Sequence, residues 1–411
     1  MTTNKTGGIY IHIPFCLRKC NYCSFLSFPA VEMQSWVGRY VDCLIREIKM
    51  RGHGEKTDTV YFGGGTPSLL SAEQISRILG AVHDTFDIDS AAEITLEANP
   101  ATIDPEKLGA FRSLGINRLS MGVQSTDDEI LKYLGRAHTA ARARKDVQDA
   151  RRAGFTNINM DLIFAVPGTA VEDVMKDLER LVSLEPEHIS FYSLQLEEGT
   201  PFFRDFEEGR LQEVSDDVDR EMYHRGCDFL RDHGYEHYEI SNFARPGRRS
   251  RHNSKYWSMA PYWGFGLGAS SYLPEPRGLG TDEKSFSVRT RKFRIVNESD
   301  MGRYCGDLER GEYRPAEVHE NSAGDDVSEG VFTGLRRAGG ITFEEIRELS
   351  GPEDDRGGGE EPRDWFFQYY KEEMPELMAF RDSGFVDLDG KGMRLTEKGI
   401  DISNRIMALF V

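Results

Sequence analysis

The sequence predicts an α/β protein: an incomplete, TIM-like parallel βα barrel of six units, followed by a smaller α+β domain of winged-helix-like type. Strand-like and helical patterns alternate regularly from residue 9 to residue 194. This alternation implies parallel strands joined by right-handed helical crossovers, and it stops short of the eight units of a full barrel. After residue 296 the patterns change to helices followed by a β-hairpin.

The elements of the barrel follow one another in a simple order. Strand-like stretches cover residues 9–14, 59–63, 93–98, 117–123, 157–163 and 188–194. Helical patterns cover residues 32–50, 71–86, 104–115, 127–135, 140–154 and 170–185. Ser71 and Asp104 are predicted N-caps, and Gly115 and Gly154 stand where a left-handed residue ends a helix. An open doubly wound sheet also fits this order of elements.

Three regions are predicted along the chain. Residues 1–240 form the partial barrel, residues 241–295 an aromatic and glycine-rich connecting segment, and residues 296–411 the C-terminal domain. Within that last domain, the polar stretch 350–364 predicts a disordered loop and the alternating stretch 383–399 a hairpin. The closing segment, "KGIDISNRIMALFV", predicts one amphipathic helix.

Composition excludes several classes of protein. The net charge of −18 over 411 residues argues against broad binding to nucleic acid. No apolar run is long enough for a membrane span, and the start lacks the pattern of a secretory signal. The chain has only 6 cysteines, too few for a disulfide scaffold. We therefore expect a cytoplasmic protein in which clustered cysteines serve metal binding or catalysis.

The residues of chemical interest fall at the carboxyl ends of the predicted strands. The stretch "PFCLRKCNYC" follows the first strand and "GGGTP" the second. Glu97 ends the third strand, Gln124 follows the fourth, and Asp161 lies late in the fifth. Active sites of parallel α/β proteins lie at this edge, so we expect these residues to share one site.

The three clustered cysteines, Cys16, Cys20 and Cys23, leave several interpretations open. A disulfide frame needs an even number, and a zinc site usually needs a fourth ligand, for which His12 is poorly placed in a buried strand. A redox pair formed by Cys20 and Cys23 leaves Cys16 unexplained. Three thiolates suit a four-iron cluster with one iron open to another ligand. The remaining cysteines lie in helical patterns and are expected to be buried.

With "YFGGGTPS" at the second strand and an aromatic Tyr22 before the last cysteine, this triplet resembles the radical S-adenosylmethionine (SAM) enzymes. The resemblance implies a [4Fe-4S] cluster on Cys16, Cys20 and Cys23. Its open iron would chelate the amino and carboxylate groups of SAM. An electron from the cluster, which an electron donor would supply, would then cleave the sulfonium of SAM to methionine and a 5′-deoxyadenosyl radical.

Further motifs extend the resemblance over nearly the whole chain. "YIHIPFC", "LEANP", "LSMGVQS", "LGRAHT", "DLIFAVPG" and "YEISNFARPG" are similar to the oxygen-independent coproporphyrinogen dehydrogenase group, which includes the HemW-type heme chaperones. The resemblance implies that Tyr22 lies beside the cluster and that a set of residues contacts SAM. These residues are Tyr10, Gly64, Gly65, Thr66, Glu97, Gln124, Arg136 and Asp161.

Two features favour the heme chaperones within this group. The dehydrogenases carry a further cysteine where this chain has Phe25, and they have a longer segment before the first strand. The chaperones carry H-N-x-x-Y-W, present here as "HNSKYW" from His252 to Trp257. The resemblance thus implies delivery of heme to acceptor respiratory hemoproteins, without dehydrogenase activity. A coproporphyrinogen dehydrogenase or another radical enzyme acting on a tetrapyrrole is the alternative, and a plain zinc or interaction protein is a third.

The residues of the connecting segment suit a flat ligand. His252 can ligate heme iron, Tyr256 and Trp257 offer flat apolar surface, and arginines can pair with propionates. A strip without side chains at Gly264, Gly266 and Gly268 is expected to admit a large ring. The alternative is an aromatic strand that packs domain against domain, with His252 hydrogen-bonded in place. The arginines in question are Arg248, Arg249 and Arg251. Among possible partners, the sequence also leaves a second copy of the chain, and so a homodimer, open.

Overall fold

The computed structural model describes residues 6–274, 292–351 and 361–411. Its strands are β1 (Gly7–Ile13), β2 (Phe15–Cys16), β3 (Phe28–Pro29), β4 (Lys56–Gly64), β5 (Asp87–Ala98), β6 (Arg118–Gln124), β7 (Ile158–Phe164), β8 (His188–Ser193), β9 (Glu236–Glu239), β10 (Asn242–Ala244), β11 (Tyr262–Phe265), β12 (Ser270–Leu273), β13 (Phe293–Val296), β14 (Glu317–Glu320), β15 (Ile341–Thr342), β16 (Val386–Leu388) and β17 (Gly392–Leu395).

The helices in the same ranges are α1 (Ala30–Arg51), α2 (Ala72–Thr85), α3 (Pro105–Ser113), α4 (Asp128–Tyr133), α5 (Ala140–Arg152), α6 (Val171–Val182), α7 (Pro201–Glu207), α8 (Asp216–Asp232), α9 (Arg251–Trp257), α10 (Met301–Glu309), α11 (Ala323–Gly334), α12 (Phe343–Ser350), α13 (Pro362–Tyr369), α14 (Met374–Asp382), α15 (Glu397–Asp401) and α16 (Ser403–Met407). Part of the predicted connecting segment and most of the predicted disordered loop lie outside the described residues.

Among the described residues, one sheet of 12 strands runs in the order β14-β13-β12-β11-β1-β4-β5-β6-β7-β8-β10-β9. Its centre is the predicted series β1, β4, β5, β6, β7 and β8, each parallel to the next. The end strands of the series pair with other neighbours, β1 with the parallel strand β11 and β8 with the antiparallel strand β10. The series therefore does not close, and the incomplete six-unit barrel is confirmed.

The strands divide their side chains between an apolar face and a polar one. On β1, Ile9, Ile11 and Ile13 are fully buried and belong to one core with Tyr40 and Leu44 of α1. The residues between them, such as Tyr10, point to the opposite face because side chains alternate along a strand. The helices thus cover one face of the sheet and leave the other for the site.

Local sequence signals place the helix ends. Ser71 accepts a hydrogen bond from the backbone nitrogen of Gln74 at 3.1 Å, and Asp104 caps α3 in the same way. Gly115 has the left-handed backbone predicted for it, with φ of 94°. The predicted closing helix is wrong in one respect: it breaks at Ile402, whose φ of −118° is not helical. The break brings Ile400 against both apolar cores.

The C-terminal part has an apolar core of its own, with Val331, Ile346 and Leu377 among its buried residues. The predicted hairpin is confirmed, since β16 and β17 pair antiparallel, and β15 adds a third strand. Helices followed by this hairpin match the winged-helix-like fold. The large sheet runs on to β14, and the boundaries at residues 240 and 295 stay predictions. No helix in the described ranges is long and apolar enough to cross a membrane.

Candidate functional site

A cavity of about 450 Å³ lies at the carboxyl ends of the central parallel strands. Most of the residues that the sequence predicted for the site line it. They are Cys16, Cys20, Tyr22, Cys23, Gly64, Gly65, Glu97, Gln124, Arg136 and Asp161. Three others lie apart from its wall: Thr66 hydrogen-bonds to Cys16, Tyr10 lines a neighbouring cavity, and His252 is buried. The structure therefore brings together side chains from five strands and the loops that follow them.

The cysteine loop is held by hydrogen bonds to two of its sulfur atoms. The hydroxyl of Thr66 donates to the Cys16 Sγ at 3.5 Å, and Nη1 of Arg136 donates to the Cys20 Sγ at 3.3 Å. The backbone nitrogen of Cys23 donates to the carbonyl of Cys20 at 3.3 Å, which closes a tight turn. All three thiols are free of disulfide bonds. Donors aimed at sulfur stabilise the thiolate form that a metal needs.

The three thiols do not gather around one point as the ligands of a single metal ion would. The described residues contain no group of three His, Cys, Asp or Glu side chains that could hold one metal ion. A zinc knuckle needs its ligands around one ion, whereas each cysteine of a four-iron cluster binds a different iron. Burial raises the pKa of the Cys16 and Cys23 thiols. A strongly positive ligand would favour their deprotonation, as metal binding to thiols does generally.

The glycine turn after β4 requires glycine for the packing of the chain itself. Gly64 has φ of 106°, and a Cβ there would lie 2.4 Å from Cε1 of His12. A Cβ on Gly65 would lie 2.8 Å from the carbonyl oxygen of Phe15. The Gly65 backbone nitrogen donates to Ile13 at 2.8 Å. The turn therefore packs directly on the cysteine loop, and its backbone forms part of the cavity wall.

Arg136 connects this turn to the cysteines. Its Nη2 donates to the carbonyl of Gly122 at 2.6 Å and to the side-chain oxygen of Asn99. Asn99 in turn donates to the Thr66 hydroxyl at 2.8 Å. Asn99 was not among the residues predicted for the site, although it stands in "LEANP" close to the predicted Glu97. A buried guanidinium next to the thiols offers positive charge to an anionic group.

Two carboxyl groups that face the cavity have raised pKa values. Glu97 accepts hydrogen bonds from the hydroxyl of Tyr61 at 2.7 Å and from the Gly64 backbone nitrogen at 3.2 Å. Burial, with a smaller contribution from the nearby Asp161, raises the pKa of Glu97 to about 7. Burial also raises the pKa of Asp161, which accepts from Asn159 at 2.7 Å. Glu97 therefore changes its charge near neutral pH.

A row of polar side chains crosses the sheet from Glu97 on β5 to β8. The register places Glu97 beside Ser120, Ser120 beside Asn159, and Asn159 beside His188. Asn159 donates to the Ser120 hydroxyl at 2.8 Å and shares a hydrogen bond of 2.6 Å with His188. The sequence signal for this row is an alternation along β6, where every second residue is apolar. The positions between those apolar residues line the cavity. Those positions are Arg118, Ser120, Gly122 and Gln124.

A second cavity, of about 360 Å³, adjoins the first. Its wall is largely aromatic and apolar and includes Tyr10, Leu26, Tyr256 and Tyr262. The two cavities share part of their walls, namely Phe25, Gly64 and Glu97. Phe25 is 66% exposed, an unusual exposure for a phenylalanine beside a cavity. The cavity that carries the cysteines and carboxyl groups thus opens beside a smaller one whose wall is largely aromatic.

Comparison with known proteins agrees with this geometry. Residues 10–181 match the Radical SAM superfamily. The protein named heme chaperone HemW of Lactococcus lactis is 33% identical over 99% of this chain and 98% of its own length. This chain belongs to the HemW family of radical SAM proteins. Membership of the superfamily implies a [4Fe-4S] cluster and SAM as cofactors.

Two further relatives and one solved structure agree. A heme chaperone HemW from Synechocystis is 36% identical over 82% of this chain and 79% of its own length. The mouse radical S-adenosyl methionine domain-containing protein 1, mitochondrial, is 32% identical over 99% and 87% of the two chains. The Escherichia coli coproporphyrinogen III oxidase HemN superposes with a TM-score of 0.79 and 22% identity over 99% and 90%. Its fold is thus shared along nearly the whole chain.

In this HemW-family chain, the H-N-x-x-Y-W motif forms the short helix α9 and not an aromatic strand. His252 is 1% exposed, and both ring nitrogens are engaged, Nδ1 with the Thr59 hydroxyl at 2.9 Å and Nε2 with the Tyr256 hydroxyl at 2.8 Å. Burial lowers the pKa of His252 to about 3. This geometry matches the expectation of a histidine hydrogen-bonded in place. Iron ligation by His252 stays a prediction and requires these bonds to break.

The predicted glycine strip is wrong. A Cβ on Gly264 would lie 2.0 Å from the carbonyl oxygen of Ser270, and one on Gly266 would lie 2.4 Å from the Tyr40 hydroxyl. At Gly264 and Gly266 the space of the missing side chain is therefore filled by other parts of the same chain, which leaves no room for a large ring. Among the strip's members, Gly268 does line the aromatic cavity.

Two of the three arginines expected to meet propionates already have acidic partners. Arg251 pairs with Asp58 at 2.8 Å, and Arg249 pairs with Glu236 at 3.1 Å. Both pairs are substantially exposed, so they contribute little to stability and can open to another anion. A role in binding propionates stays a prediction.

Proposed function

We propose that this chain is a heme chaperone: it binds heme beside a cluster and SAM and passes the heme to acceptor hemoproteins. The proposal is supported by similarity along the full length to a protein named heme chaperone HemW. The structural observation that carries it is Phe25, which stands exposed between the two cavities where the dehydrogenases resembled here carry a cysteine.

For the cluster, we assign Cys16, Cys20 and Cys23 as ligands. Arg136 and Thr66 donate hydrogen bonds to two of these sulfurs and so hold the loop in place. When bound, the cluster and SAM supply one-electron chemistry that needs an electron donor protein. The chain's part is to expose three thiols on one wall of a cavity large enough for a small-molecule ligand.

For SAM, we assign the side chains that converge on the same cavity. Glu97 accepts hydrogen bonds from ribose hydroxyls when it is ionised, and Arg136 neutralises a carboxylate. The backbone of Gly64 and Gly65 approaches the methionine moiety. The remaining contacts are assigned to Tyr10, Tyr22, Thr66, Gln124 and Asp161.

For heme, we assign the second, largely aromatic cavity as the binding site. Tyr10, Tyr256 and Tyr262 offer ring faces, and Phe25 and Leu26 add apolar surface at its edge. Burial of a large flat ring against such surface is favourable, at roughly 25 cal/mol for each Å² of apolar area. His252 lies just behind Tyr256, at 2.8 Å from its hydroxyl. A movement of Tyr256 would therefore free the Nε2 atom of His252.

Heme titration of the full-length protein tests this proposal, with and without the anaerobically reconstituted cluster. We expect a stoichiometric Soret shift at micromolar heme, weakened by Tyr256→Ala and by His252→Ala. The matched control is His83→Ala, since His83 is exposed on α2. Absence of a Soret shift in the wild-type protein would contradict the proposal.

A second candidate is a radical enzyme acting on a tetrapyrrole, such as a coproporphyrinogen dehydrogenase. It is favoured by the convergence of all the predicted cluster and most of the predicted SAM residues on one cavity. Anaerobic incubation with coproporphyrinogen III, SAM and a reductant tests it. Formation of protoporphyrinogen would establish the dehydrogenase, whereas its absence with a fully loaded cluster would leave the chaperone.

The proposed setting follows from the function. The acceptors are respiratory hemoproteins, and the chain acts in the cytoplasm, as a monomer or a homodimer. Nucleic acid is not among the proposed partners, because the net charge of −18 repels phosphate.

A further inference from the structure

The first position of β6 that faces the cavity is Arg118, which has no part in the proposed cluster, SAM or heme sites. Arg118 is 1% exposed and belongs to the wall of the 450 Å³ cavity. Its Nε and Nη1 atoms are buried and have no hydrogen-bond partner within the described part of the chain. Buried N–H groups of a guanidinium that lack hydrogen-bond partners are unfavourable, so their retention in a fold points to a ligand.

The carboxylates near Arg118 are held by other donors. Glu97 accepts from Tyr61 and Gly64, and Asp161 accepts from Asn159. Glu93, on the neighbouring strand, accepts from the backbone nitrogens of Arg251 and His252 at 3.2 and 3.1 Å. None of these three forms an ion pair with Arg118 in the described residues. The guanidinium therefore remains available to an anion from outside the chain.

Arg118 is also separate from the cation at the cysteines. Arg136 is bonded to the carbonyl of Gly122, which lies further along β6 than Arg118. At the usual strand rise the two backbone positions are roughly 13 Å apart. The cavity thus has one arginine beside the thiols and another that enters from a deeper position on the strand.

We propose that Arg118 is a carboxylate-binding residue at the deep end of this cavity. A planar guanidinium with two free N–H groups matches an aliphatic carboxylate, which it can bind in bidentate fashion. Two ligands of the proposed function carry such a group: a tetrapyrrole with propionate arms, and SAM, whose methionine carboxylate would then lie at Arg118 and not at Arg136. The inference rests on the proposed function only for the first of these sources.

The test pairs each acid with an analogue that lacks the charge. Equilibrium binding of heme and heme dimethyl ester, and of SAM and decarboxylated SAM, is measured on full-length protein with the reconstituted cluster. We expect the wild-type protein to prefer one acid over its analogue by at least tenfold. Arg118→Met should remove that preference while it leaves the affinity for the analogue within a factor of two. The pair that responds identifies the source of the carboxylate.

Two further variants keep the test decisive. Arg144→Gln, at an exposed arginine of α5, should change neither preference. Arg118→Lys, which keeps the charge but not the planar fork, should retain part of the preference, and it carries the test if the Met variant does not fold. Equal loss for acid and analogue, or an unchanged preference in both pairs, would overturn the inference. Failure of wild-type protein to bind any heme would count against the proposed function alone, since the SAM pair still judges Arg118.

Discussion

The guanidinium of Arg136 donates to the sulfur of Cys20 at 3.3 Å, although the two residues are 116 positions apart in the sequence. This bond joins the loop after β6 to the loop after β1, across the carboxyl edge of the sheet. The same guanidinium holds Gly122 and Asn99. One side chain thus organises the cysteine loop, the strand end and the glycine turn together.

Replacing Arg136 should therefore impair both cofactors. We expect Arg136→Gln to weaken SAM binding by roughly 10-fold or more, because a charge-assisted hydrogen bond contributes about 1.5–3 kcal/mol. Iron and sulfide content after reconstitution should fall as well. Calorimetry of SAM binding and elemental analysis measure the two effects. Arg144→Gln serves as the control, and an unchanged SAM affinity in Arg136→Gln would refute the assignment.

The raised pKa of Glu97 predicts a pH dependence. Its pKa of about 7 in the folded chain lies above the ordinary value, so the folded state holds the proton more tightly than the unfolded chain does. The stability that this provides is present at low pH and is lost as the pH rises through 7. An ionised carboxylate accepts hydrogen bonds from ribose hydroxyls more strongly than a protonated one does, so SAM affinity should rise several-fold from pH 6 to pH 8.

Titrations of SAM at several pH values check this dependence. Glu97→Gln should bind SAM more weakly at pH 8 and should show a flatter profile, because Asp161 is then the one acid of this pair left in the cavity wall. Glu73→Gln, at an exposed position of α2, should retain the wild-type profile. A wild-type affinity that falls between pH 6 and pH 8 would contradict the assignment of Glu97.

The glycine turn gives a prediction about stability. Gly64→Ala places a Cβ 2.4 Å from the His12 ring at φ of 106°, so we expect a loss of about 1–3 kcal/mol in the free energy of unfolding. Gly80→Ala is the matched control, because Gly80 lies exposed in α2 with no atom within 4 Å of the added methyl group. That change should stabilise by about 0.5–1 kcal/mol. Urea unfolding of the two variants compares them directly.

A buried ion pair holds the first helix to the strands beside β1. Arg51 and Glu47 pair at 2.5 Å with side chains at most 1% exposed, and Glu47 also accepts from Tyr304 at 2.6 Å. Glu47→Ala leaves Arg51 buried without its partner, which typically costs about 3–5 kcal/mol. Asp42→Ala, which breaks an exposed pair with Arg77, should cost at most about 1 kcal/mol. Thermal unfolding distinguishes the two.

The strands of the barrel could be predicted because their signal is local. Each has an apolar face that packs on a helix, and Ser71 and Asp104 cap their helices through backbone groups three residues away. The partners of His252 could not be predicted in this way, since Thr59 lies 193 positions before it. Its engagement depends on how α9 packs against β4, which only the tertiary fold determines.

The interior polar residues were the hardest to predict. Asn99 and Arg118 are read in sequence as ordinary polar positions, because nothing local tells which face of a curved sheet they occupy. The error over Gly264 has a similar origin. A glycine in a strand often marks a place where a ligand or another part of the backbone comes close. At Gly264 it is the backbone of Ser270 that comes close, and not a ligand.

The shared wall of the two cavities would couple a ligand bound in one of them to a ligand bound in the other. Phe25, Gly64 and Glu97 border both chambers, so a ligand that shifts any of them in one chamber alters the other. Thermodynamic linkage then requires reciprocity: the factor by which SAM changes the affinity for heme equals the factor by which heme changes the affinity for SAM. In such a chaperone the affinity for heme would depend on whether SAM is bound.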